Sequence, residues 1–78
     1  MNKEFIEIKL KDIFEGVGVH VEREMYDKEL NLDSLQFVTI AIEIEEFFKV
    51  ALYEMSHMEN IKTFSDYRQL LEDRLINI

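Results

Sequence analysis

At 78 residues the chain is long enough for one domain, spanning 1–78, with a modest core. That leaves little room for a deep substrate cleft and its supporting shell, so a small carrier or binding module is expected and not an enzyme. A net charge of -8 repels phosphate backbones and anionic membrane surfaces alike, so neither nucleic acid nor a membrane is an expected partner.

Hydrophobic residues make up 47% of the chain and no tract is of low complexity, which predicts a folded domain and not a disordered one. There is no cysteine, so disulfides and thiolate zinc sites are excluded, and any thiol chemistry needs an imported group. The opening MNKEFIEIKLKD lacks the apolar core of a signal peptide, and no apolar run reaches the roughly 18 residues of a spanning helix, so a cytoplasmic location is expected.

Ile6, Leu10, Ile13, Phe14 and Val17 recur at helical intervals. Ile6, Ile8 and Leu10 also alternate as in a short strand, but the continuation to Phe14 favours a first helix ending at the glycines of GVGV. From Val19 to Leu32 the residues are mostly polar. They predict a long ordered loop pinned by Val21, Met25 and Leu30, with Met25, Met55 and Met58 filling core or groove.

A second helix is predicted from Asp33 to about Lys49, because Asp33 can cap it and Gln36, three residues on, completes a capping box. Ser34 then lies in its first turn. A short helical piece is expected over Tyr53–Glu59, and a last helix starts at Thr63, where Thr63 and Asp66 repeat the capping spacing ahead of a buried stripe of Phe64, Tyr67, Leu70, Leu71 and Leu75. The fold class is all-α, a bundle of four helices with a long first loop and a short third helix.

The second helix has more apolar residues than one buried face uses. Phe37, Ile40, Ala41, Ile44, Phe47 and Phe48 suit the core, while Leu35, Val38 and Ile42 form a second stripe with Glu45 and Glu46 just beyond it. Two readings are open at this point: an exposed docking surface, or a central helix packed on both sides.

LDSL at Leu32–Leu35, opening the helix QFVTIAIEIEEFF, and IKTFSDYRQLLEDRL near the end together resemble the acyl carrier proteins and related phosphopantetheine-binding carriers. The resemblance covers nearly the whole chain in length and order of elements. It implies a four-helix bundle of acyl-carrier type, non-catalytic and monomeric, in which Ser34 is esterified by 4'-phosphopantetheine from coenzyme A and Asp33 helps to present the hydroxyl. The partners it implies are a phosphopantetheinyl transferase and acyl-loading, condensing or transfer enzymes with basic docking patches, which would meet Leu35, Val38, Ile42, Glu45 and Glu46. The sequence departs from the family where Asn31 replaces a usual glycine, and where Gln36 and Thr39 stand at positions often carboxylate in fatty-acid carriers. Asparagine tolerates a left-handed backbone, so the turn can survive. The thinner acidic face makes a dedicated carrier of acyl, aminoacyl or polyketide units as serious an option as a fatty-acid role.

Other classes fit less well. A serine hydrolase needs a base beside Ser34, but the only histidines are His20 and His57 and there is no G-x-S-x-G turn. Asp27, Glu29, Asn31 and Asp33 alternate as in a calcium loop, yet Leu32 and Val38 occupy the positions that need glycine and the bidentate glutamate, so no metal site is expected. The alternative to a carrier is a non-catalytic helical interaction domain without a prosthetic group.

Overall fold

The computed structural model describes residues 2–51 and 61–76, and these are all-helical, with no strand among them. Three α-helices are present: α1 (Lys3–Gly16), α2 (Ser34–Phe48) and α3 (Phe64–Leu75). The short helix expected over Tyr53–Glu59 lies outside the described residues, as do Met55, His57 and Met58.

Each helix boundary has a local cause. Asn2 caps α1 by accepting a hydrogen bond from the Phe5 amide at 2.8 Å. At its other end the Gly18 amide donates to Glu15 O (3.0 Å) and the Val19 amide to Phe14 O (2.9 Å), with Gly18 at φ 83. This is the Schellman stop that GVGV predicts, and the left-handed position is the one that needs glycine. The α3 box also forms: Thr63 Oγ1 accepts from the Asp66 amide, and Asp66 Oδ2 accepts from the Thr63 and Lys62 amides, each at 3.0 Å. The Lys62 amide, with that of Thr63, holds the Asp66 carboxyl below the usual carboxylate range despite its partial burial.

The core gathers on α1, which packs against both α2 and α3. Ile6, Leu10 and Phe14 of α1 meet Ile40, Ile44 and Phe48 of α2, and Phe64, Tyr67, Leu70 and Leu71 of α3. Phe14 lies edge-on to the rings of Phe64 (5.4 Å) and Tyr67 (5.3 Å). Leu75 is only half-buried.

Three expected core residues are outside the core, the first being Phe37, which is half-buried and not packed against the cluster because it turns toward the groove beside Ser34. Phe47 is 46% exposed, because the buried face of α2 runs through Ile40, Ile44 and Phe48 and leaves its neighbour round the helix at the edge. Met25 is also exposed. A 3₁₀ turn at Arg23–Met25 changes the phase of the loop, so that Tyr26 turns inward instead, stacking on Phe64 at 4.3 Å and donating to Glu7 Oε2 at 2.9 Å. Burial first, and then the bond to Glu7, push the Tyr26 hydroxyl above its ordinary pKa. Val21 is fully buried and Leu30 half-buried, as expected of loop anchors.

The loop is also stitched to the start of α3. The Leu30 amide donates to Lys62 O (2.8 Å), the Ser65 amide to Tyr26 O (3.0 Å), and Glu29 bridges Thr63 in antiparallel fashion. These bonds fix the chain's approach to α2.

Tyr67 is 1% exposed, its hydroxyl has no hydrogen-bond partner among the described residues, and burial pushes its pKa up to about 12. Tyr67→Phe removes an unpaired buried group, so we expect stability to rise by about 1 kcal/mol. Because the folded-state pKa is raised above the unfolded value of 10.0, this tyrosine's contribution is complete below pH 10.0 and is lost as pH climbs toward about 12. Chemical denaturation from neutral to strongly alkaline pH should therefore show a steeper fall in the wild type than in Tyr67→Phe.

Candidate functional site

Asp33 and Ser34 stand at the point where the stitched loop becomes α2. Asn31 has φ 50, the left-handed turn that the resemblance implied, and Asp33 follows in extended conformation as N-cap. Asp33 Oδ1 accepts from the Gln36 amide at 2.7 Å and Gln36 Oε1 accepts from the Asp33 amide at 3.2 Å, so the predicted capping box forms in both directions. Gln36 Nε2 also donates to Val17 O at 3.5 Å, tying the start of α2 to the end of α1.

Ser34 is the first residue of the helix and is exposed. Capping is done by Asp33, so the serine hydroxyl is not used for it. Among the described residues, neither that hydroxyl nor the amides of Ser34 and Leu35 make a hydrogen bond. Two free amides at the positive end of a helix dipole favour a negative group beside them. Ser34 also lines a groove of about 440 Å³ with Leu32, Phe37, Ile61, Glu29 and Lys62, among others. Ile61 and Lys62 come from far along the chain, and only the loop-to-α3 bonds bring them here. No periodicity in the sequence signals them.

The stripe beyond Ser34 is open. Leu35 is 77% exposed, Val38 50% and Ile42 47%, while Glu46 is exposed and Glu45 half-buried. Of the two readings left by the periodicity, exposure holds: α1 is the helix packed on two sides, and α2 buries one face. His20 pairs with Glu15 (3.9 Å) and with Glu22, not with Ser34. The carboxylate of Asp33 is engaged in the cap, and among the described residues no three His, Cys, Asp or Glu side chains are placed to share a metal ion.

Comparison of this chain with family models, with curated proteins and with solved structures finds no match.

Proposed function

We propose that the chain is a carrier protein in which Ser34 bears a 4'-phosphopantetheine arm. What supports this most is the free state of Ser34: an exposed hydroxyl at the first position of a helix whose cap is supplied by its neighbour, beside two unpaired amides and a half-apolar groove. These features fit a phosphodiester, since the amides of Ser34 and Leu35 would balance its charge and, among the described residues, no group hydrogen-bonds the serine oxygen. When attached, the arm supplies the thiol that the sequence lacks, on which acyl, aminoacyl or polyketide units travel as thioesters between enzymes of fatty-acid or specialised-metabolite synthesis.

Asp33 holds the serine in register by fixing the first turn. Leu35, Val38 and Ile42 offer apolar contact to partner enzymes, and Glu45 and Glu46 offer charge that a basic patch can steer toward. The partners are a phosphopantetheinyl transferase and the acyl-loading, condensing or transfer enzymes of the pathway. The finer architecture, a four-helix bundle of acyl-carrier type with its short third helix, belongs to this proposal, as do a cytoplasmic location and a monomeric state. The same exposed stripe would equally serve an interaction domain without any arm.

A thiol titration separates the two readings, because every thiol in a cysteine-free chain must come from an added group. Protein made in a host with a phosphopantetheinyl transferase should titrate one thiol per chain under denaturing conditions. A value of zero after incubation with coenzyme A and transferase would favour the interaction domain.

Two sets of variants probe the stripe. Val38→Ala and Ile42→Ala should change stability by no more than about 1 kcal/mol, since half of each side chain is already in water, yet slow modification by the transferase. The Glu45→Lys, Glu46→Lys double variant should keep its helical circular dichroism while its modification slows about tenfold at low salt, with the deficit shrinking as salt rises. Melting losses with unchanged kinetics would place the docking surface elsewhere.

A further inference from the structure

A second apolar surface lies one residue round α2 from the stripe. Thr39, Glu43 and Phe47 each follow a member of the outer face, Val38, Ile42 and Glu46, so they point about 100° away, toward α1. There they border a groove of about 340 Å³ between the two helices, together with Lys9, Asp12, Ile13, Gly16 and Val17, so that its walls carry two carboxylates and one ammonium. At the edge of the groove Phe5 and Phe47 stack with ring centroids 6.1 Å apart, although the two are 39% and 46% exposed. Ile8, 52% exposed, extends the patch along α1. The Lys9 ammonium lies 5.3 Å from the Phe47 ring.

Three features of this groove are not explained by folding. Two phenylalanines left stacked in water contribute less to the fold than buried ones would, so a covering surface would give them a use. Gly16 sits in helical conformation, where alanine is the better residue, and a Cβ added there meets nothing within 4 Å. The fold therefore does not demand glycine, and its missing side chain leaves that part of the groove open. Asp12 on α1 and Glu43 on α2 stand on opposite walls, both exposed and neither in an ion pair among the described residues.

We infer that the α1–α2 groove is a docking surface for an amphipathic helix of a partner protein that carries arginine or lysine beside its apolar face. Its apolar side chains seat on Ile13, Val17 and the Phe5–Phe47 pair, and its cations meet Asp12 and Glu43. The groove is open along the surface and lies between two helices, which suits a helix better than a small enclosed ligand. A second copy of the chain is the poorer occupant, because each copy brings a net charge of -8. The surface is separate from Ser34 and does not depend on a prosthetic group.

The test uses the Ser34→Ala chain, so that no arm can contribute. The probe is a synthetic amphipathic helix with a leucine face flanked by arginines. Amide shifts of the isotopically labelled protein should move at Lys9, Asp12, Gly16, Glu43 and Phe47. Gly16→Leu, which fills the groove, should weaken binding by about tenfold or more with an unchanged or raised melting temperature. Asp12→Asn with Glu43→Gln should weaken it well beyond Glu24→Gln with Asp27→Asn, which removes the same charge from the exposed first loop. The inference is overturned by absence of binding, by shifts concentrated on Leu35, Val38 and Ile42, by full affinity in Gly16→Leu, or by equal losses in the two charge variants.

Discussion

Phe14→Ala should leave the chain unfolded, or close to it, at ambient temperature. The side chain is fully buried on the helix that touches both others, and it joins the rings of Phe64 and Tyr67 into one edge-to-face cluster. Truncating a buried phenylalanine costs about 3 to 5 kcal/mol. A core of this size seldom supplies more than roughly that amount in total, so the substitution removes most of the margin. For a chain of this length, such a loss lowers the melting temperature by about 12 °C or more. Phe47→Ala, at an edge position, should cost about 1 kcal/mol or less. Thermal melts followed by circular dichroism give both values, and equal losses would mean that Phe47 is a core residue after all.

Ser34→Ala should abolish incorporation of labelled coenzyme A's arm while leaving the melting curve unchanged. Among the described residues the serine hydroxyl has no bond to keep: the cap belongs to Asp33, and alanine is a good residue for the first turn of a helix. Ser34→Thr is expected to be modified poorly, because the added methyl crowds the attacking oxygen. Of the other serines, Ser65 lies in the first turn of α3 with its amide bonded to Tyr26 O, a structural setting with no comparable free helix start. Label retained in the Ser34→Ala chain would therefore remove Ser34 from the proposal.

The parts of this fold that were legible in the sequence are those decided within one turn of helix. Both capping boxes and the glycine stop of α1 depend on residues three to five apart, and the structure contains each of them, while the left-handed turn at Asn31, also present, was expected only from the resemblance. The face that α2 buries was less legible. Periodicity sets the width of its apolar sector but not how far the helix is rotated on its neighbour, and a small rotation moved Phe47 from core to edge. Tyr26 replaced Met25 as an anchor because the 3₁₀ turn shifted the phase of a loop that had no periodicity to read. Whether α2 is packed on both sides was left open by its composition, and among the described residues it is α1 that packs against both other helices, since tertiary packing and not composition decides this.

The candidate site divides the same way. Ser34, Asp33 and the outer stripe are contiguous in sequence and were readable there. Lys62 and Ile61 beside Ser34, and the groove between α1 and α2, arise only from contacts between distant segments.

Intact-mass spectrometry of the wild-type chain, after incubation with coenzyme A and a phosphopantetheinyl transferase, tests the central claim most directly. The carrier reading predicts complete conversion to a single species heavier by one phosphopantetheine arm. A mass that stays at the unmodified value, in a protein whose melting curve is that of the folded chain, would contradict it.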